Sequence, residues 1–235
     1  MNGRPGLLSS RLARVLLALM FALMLVASVP TIRAVTLRVL GGLLIVSDPI
    51  ERADIAAMTE SGEAGELEVS DLYRDHVIPR VLVLTPEPTA VDRELARRGV
   101  HRVDLILSTL VQLGVPRDAI QTLEAGEGGT TDSTQALAAW VSQHPCRVLM
   151  VVSPTHARRY RRTLARVWPK QAPPARVRYP RASLFHAQDW WVARRTRRDG
   201  LFELEKLAWT FYCIHCRGWR LGANIVHSRR HEEHE

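Results

Sequence analysis

Short unbroken apolar runs alternate along the chain with longer stretches in which apolar side chains recur every three or four residues. The runs, rich in Val, Ile and Leu, predict strands at 54–59, 80–85, 120–124, 147–153 and 176–179. The stretches between them predict helices at 66–75, 103–113, 132–143 and 156–167, with a last helix at 200–216. Gly114 and Pro116 close one helix, Pro145 another, and Pro169, Pro173 and Pro174 a third. Regular alternation of this kind predicts an α/β fold, a three-layer sandwich with a mostly parallel sheet covered by helices.

The N-terminal pattern is of another kind. Arg4, Arg11 and Arg14 lead into an uncharged run at 15–29, VLLALMFALMLVASV, and Pro30 and Arg33 follow it. Extended to Ile32 the run has 18 residues, ~27 Å as a helix and close to the ~30 Å hydrocarbon core of a bilayer. It also fits a signal-peptide core with Val26, Ala27 and Ser28 as the cleavage site, though Pro30 just beyond favours a retained transmembrane helix. Positive charge ahead of the run holds that end in the cytoplasm and places the folded part outside the cytoplasmic membrane, a bias that Arg33 and Arg38 weaken without reversing. The expected organisation is an N-terminus and single-pass anchor at 1–33 and an apolar lead-in at 34–46 that packs on the membrane or the domain. An α/β domain at 47–218 and a flexible charged tail at 219–235 complete it.

The chain's 235 residues, 46% hydrophobic and 24% charged, suffice for one globular domain with its own core. A formal net charge of +8 raises nucleic acid as a partner. The basic residues are scattered apart from 158–162 and 194–198, only Lys170 and Lys206 among them are lysines, and no recognition motif accompanies them, so no nucleic acid is expected. Cys213 and Cys216 have Cys-x-x-Cys spacing but no second ligand pair, so no metal is expected; outside the cytoplasm the two can form a disulfide. Cys146, at a strand start, is expected to be buried, and His227, His231 and His234 belong to the charged tail.

Parallel sheets gather ligands beyond the carboxyl ends of their strands, where helix N-termini present unpaired N–H groups. Segments 59–66, 85–92, 125–135 and 153–159 fall there. In AGEGGTTDSTQ (125–135), Thr130, Thr131 and Ser133 are candidate anion contacts, with capping of the next helix by Thr131 or Asp132 as the alternative. In SPTHARR (153–159), His156 is the candidate acid, base or anion contact and Ser153 its catalytic companion. Thr155, Arg158 and Arg159 are candidate ligand contacts there, and a capping or surface histidine is the alternative. Arg161, Arg162 and Arg166 are expected on a solvated face. No Gly-x-Ser-x-Gly, Walker A or Gly-x-Gly-x-x-Gly pattern occurs. A Ser153–His156 hydrolase would therefore need Asp48, Asp54 or Asp189 brought near by folding.

Four stretches resemble the domain-of-unknown-function 218 family of YdcF-, SanA- and ElyC-like proteins: VSDPIERADIAAMTES, DLYRDHVIPRVLVLT, LGVPRDAIQTLE and RVLMVVSPTHARRYRRTL. Together they span most of 46–168, and LFELEKLAWTFYCI resembles the helix that closes such domains. The last of the four, similar to the family's strand followed by Thr-Ser-x-x-His-x-x-Arg, is the most specific. The resemblance implies a Rossmann-like fold behind an N-terminal anchor and a role in peptidoglycan, surface-polysaccharide or carrier-lipid metabolism, binding or acting on an anionic, phosphate-bearing envelope precursor. A nucleotide-like cofactor is associated with a cytoplasmic relative; none is assigned here. The chain departs from the family pattern where TESGEAGE replaces a Gly-rich turn, Glu66 an Arg, TPEP a Ser-Gly-Gly, and TTDST (130–134) an Asn-Thr-x-Glu-Asn. These departures imply the alternative of a non-catalytic envelope-binding protein with a degenerate pocket. Convergence of His156, Thr131 and Ser153 on one point would favour the first reading, and a filled cleft the second.

Overall fold

The computed structural model describes residues 7–59, 63–126 and 129–216; residues 60–62, the expected tail at 219–235 and the side chains of Cys213 and Cys216 lie outside the described residues. Two helices, α1 (Leu7–Ser28) and α2 (Pro30–Leu44), precede an alternating series. The series runs β1 (Ile55–Met58), α3 (Glu63–Arg74), β2 (Val81–Thr85), α4 (Ala90–Arg97), α5 (Arg102–Gln112), β3 (Ile120–Glu124) and α6 (Thr130–Gln143). It continues with β4 (Val148–Val151), α7 (Pro154–Val167), β5 (Arg176–Arg178) and α8 (Arg194–Cys216).

The five strands form one sheet in the order β3-β2-β1-β4-β5, every pairing parallel. The expected α/β class is therefore observed, with a fully rather than mostly parallel sheet of Rossmann-like form. Central strands β1 and β4, in register at Ile55 and Val148, are buried at every position. Such strands read as continuous apolar runs because both of their faces are covered. Ile55, Ala57, Val148 and Met150 face Leu137, Val141, Tyr160 and Leu164 of α6 and α7. Ala56, Met58, Leu149 and Val151 face Val69, Leu72, Leu107 and Leu110 of α3 and α5.

Helix α4 interrupts what the pattern left as a loop. Its start is a capping box: Thr89 Oγ1 accepts from the Asp92 N–H (3.2 Å) and Asp92 Oδ2 accepts from the Thr89 N–H (2.9 Å). The polar segment after β2 is thus spent on starting a helix. Helix α7 begins two residues before the expected position, at Pro154, whose fixed φ and missing N–H suit the first helical turn. Helix α6 begins at Thr130 behind Gly129, which has φ +108° and acts as the N-cap. Capping by Thr131 or Asp132 is accordingly not observed.

Helices α1 and α2 are separated by the single residue Val29. Val29 donates to Leu25 O, the last bond of α1, and Arg33 to Val29 O, the first of α2, both at 2.9 Å; extended backbone at Val29 and the missing N–H of Pro30 break the helix between them. Among the described residues no helix is long and apolar enough to cross a membrane. Apolar side chains nonetheless surround α1, with Leu16, Leu17, Leu19, Met20, Phe21 and Met24 all more than half exposed.

The lead-in expected at 34–46 is the helix α2, packed on the domain. Its inner face, α8 and the 185–191 segment enclose a small third core of Leu44, Phe185, Trp190 and Leu207. Trp190 lies between two glycines: a Cβ on Gly41 would come within 2.6 Å of its Cδ1, and one on Gly200 within 2.5 Å of its Cε3. Its indole N–H donates to Leu37 O at 2.8 Å.

Candidate functional site

In a sheet of order 3-2-1-4-5 the chain reverses direction of travel between β1 and β4, and the crevice beyond their carboxyl ends is where such sheets place ligands. Ser153 through Arg159 lie at that crevice, because β4 ends at Val151 and α7 starts at Pro154. Opposite, the N-terminus of α6 brings up Thr130.

What joins these residues is a carboxylate from the closing helix. Glu203 of α8, only 3% exposed, accepts from His156 Nε2 (3.2 Å), from Arg159 Nε (3.0 Å) and Nη2 (3.2 Å), and from Lys206 Nζ (2.9 Å). The Arg159 fork grips the carboxylate with two nitrogens, and its third donates to the buried Thr130 hydroxyl. His156 remains 40% exposed at its side chain, so the imidazole is held on its inner edge and open to solvent on the other. Burial alone would raise the Glu203 carboxyl; the hydrogen bond and charge of His156, then Arg159 and Lys206, more than offset it and hold the group down at about 2.

The remaining expected residues separate into those near this clamp and those turned elsewhere. Ser153 Oγ pairs with the buried Thr155 Oγ1 at 3.2 Å. Ser133 is buried and Thr131 exposed, on opposite sides of the first turn of α6. Arg158 points away, its Nη2 donating to Ile45 O at the end of α2 (3.4 Å). Asp48 binds Arg161 and accepts from the Val177 N–H (2.8 Å), and Asp54 binds Arg147 at the amino-terminal edge of the sheet. Asp189 is exposed on the 185–191 segment, and the acidic group beside His156 is Glu203. Of the three arginines expected on a solvated face, Arg161 and Arg166 are exposed, Arg161 also pairing with Asp48, and Arg162 is half-buried.

Sequence reasoning missed Glu203 and Lys206. The available signal was periodic: Thr196, Gly200, Glu203 and Leu207 are buried on one stripe of α8, so a carboxylate stands where an apolar side chain would be expected. A second buried carboxylate, Glu68 of α3, accepts from Arg178 Nε (2.5 Å) and the Arg181 N–H (2.9 Å), clamping β5 to the opposite helical layer. Two cavities of about 340 and 490 Å³ lie at the amino-terminal edge, one beside Asp54 and Arg147 and one beside Trp140, His144 and Cys146. Cys146, expected to be buried, is half-buried at this second cavity.

The clamp makes stability depend on pH with a definite sign. A carboxyl held below its ordinary value of 4.5 stabilises the fold above that pH and loses its contribution as pH falls toward about 2. The shift corresponds to about 3 kcal/mol, the His156 share requiring a protonated imidazole. Asp48, Asp54 and Glu68 are also held low and act in the same direction. Urea midpoints of the full chain in detergent should thus fall between pH 4.5 and 2, and Glu203→Gln should flatten the profile there; an unchanged slope would show that the carboxylate is solvated.

Fold and site define a doubly wound, parallel α/β domain whose basic switch-point edge is organised by a buried glutamate. No family model matches the chain, and no curated protein matches it.

Proposed function

We propose that this is a membrane-anchored, extracytoplasmic protein of the domain-of-unknown-function 218 type, which binds or acts on a phosphate-bearing precursor of the cell envelope at the His156 edge. The observation that supports this most is the meeting of His156, Arg159 and Thr130 around Glu203 at the switch point. The solvent-facing side of His156 meets the phosphate, the first turn of α7 adds the favourable end of its dipole, and Glu203 fixes the imidazole and guanidinium. Exposed apolar side chains on all sides of α1 support its role as the anchor.

A second reading, a non-catalytic envelope-binding protein, is favoured by one observation. Glu203 fills the cradle, so the Arg159 fork is already committed to a carboxylate, and Ser153 Oγ is paired with Thr155. Calorimetric titration with farnesyl phosphate and inorganic pyrophosphate separates the two. Binding by the natural chain, weakened about tenfold in His156→Ala and unchanged in the charge control Lys170→Ala, supports the first. Absence of binding to either phosphate, in a chain that unfolds cooperatively, leaves the second.

A further inference from the structure

Helix α2 carries two apolar faces. The inner one, with Leu37, Leu40 and Leu44, packs around Trp190 and Leu207. The outer one comprises Ile32, Val35, Val39 and Leu43, which are 39, 57, 58 and 45% exposed. At ~100° per residue these four share a stripe about 80° wide, and the exposed Arg33 and Arg38 fall on either side of it. A helix on the surface of a soluble domain needs one apolar stripe; a second, flanked by arginines, suits a helix lying between a folded domain and a lipid surface. Continuity points the same way, because α2 follows α1 across the single residue Val29 and the described side chains of α1 between Arg14 and Ser28 are apolar and exposed on all sides.

We infer that α2 is a membrane-surface helix. Its outer stripe sits at the boundary of headgroups and acyl chains, Arg33 and Arg38 contact anionic headgroups, and the α/β domain is thereby seated on the bilayer that α1 enters. This rests on the anchor reading above. It also bears on the ligand: α7 packs along α2 and Arg158 binds Ile45 O at its end, so the His156 edge is held beside the bilayer, where it would meet a phosphate presented at headgroup level.

The test is photo-crosslinking of the full chain in vesicles of phosphatidylcholine containing a minority of phosphatidylglycerol. A diazirine-bearing residue replaces Val39, Leu19 of α1 or the exposed Leu105 of α5. A phospholipid adduct is expected by mass at Val39 and Leu19 and not at Leu105. Arg33→Glu with Arg38→Glu should lower the Val39 adduct about tenfold and leave the Leu19 adduct unchanged. If Val39 yields only the water-quenched product, or a crosslink to a second copy, while Leu19 labels lipid, the surface-helix inference is overturned and the anchor stands. If Leu19 fails to label lipid, the anchor reading itself falls.

Discussion

Glu203→Leu is expected to cost the fold about 3 to 5 kcal/mol, because it strips the counter-charge from a largely buried guanidinium while leaving that guanidinium in place. Arg159 is 18% exposed and uses both Nε and Nη2 on Glu203; with the carboxylate gone, only the Thr130 hydroxyl remains as a described side-chain partner. His156 and Lys206 are more exposed and recover water on the open side, so most of the loss comes from Arg159. Adding Arg159→Met to Glu203→Leu should restore a large part of the stability, since two apolar side chains of similar volume replace an ion pair at little cost. Urea unfolding of the four chains of this cycle measures the coupling. A Glu203→Leu loss below about 1 kcal/mol would mean that the clamp behaves as a surface pair.

Trp190→Ala is the second large effect, at about 3 to 5 kcal/mol. The indole is 1% exposed, donates to Leu37 O, and is the largest side chain of the core between α2, α8 and the 185–191 segment. Phe185 stacks on the ring, and backbone at Gly41 and Gly200 approaches its Cδ1 and Cε3 ends, where nothing can move in to fill the space without moving whole helices. The complementary change, Gly200→Ala, places a methyl 2.5 Å from the ring and should cost about 1 to 3 kcal/mol by overpacking. Because α8 carries Glu203, both changes should also loosen the His156 clamp. The imidazole signals of His156 in proton NMR should then shift toward those of Glu203→Gln, whereas a merely destabilised fold with an intact clamp would keep the natural shifts.

The sheet was legible in the sequence because each strand is a local property of the chain. IAAM and VLMV are apolar at every position, and a run of that kind has few outcomes other than a strand covered on both faces. The helix at 90–97 was harder to see, since it buries no residue completely, yet its Thr89 and Asp92 capping pair was written in the local spacing. Half of the candidate site was legible by the same logic: His156 and Arg159 follow a buried strand at the edge where parallel sheets commonly hold ligands.

The other half was not. Glu203 stands 44 residues beyond Arg159, and nothing in the spacing of LFELEKLAW says which cation its carboxylate meets. Likewise Glu68 and Arg178 are 110 residues apart, and Gly41 and Gly200 become a matched pair only because Trp190 comes between them. The sequence alone determined the five strands, the helices between them other than α4, the parallel α/β class and the basic edge after β4, because hydrophobic period, capping and turn chemistry act over a few residues. Tertiary structure decided that Asp48 and Asp54 serve other arginines, that Glu203 organises His156, and that α2 keeps one apolar face for the domain and leaves another outside. The physical reason is that a buried charge must find its partner wherever the packed layers bring one within about 3 Å, a distance set by the approach of helices remote in the chain.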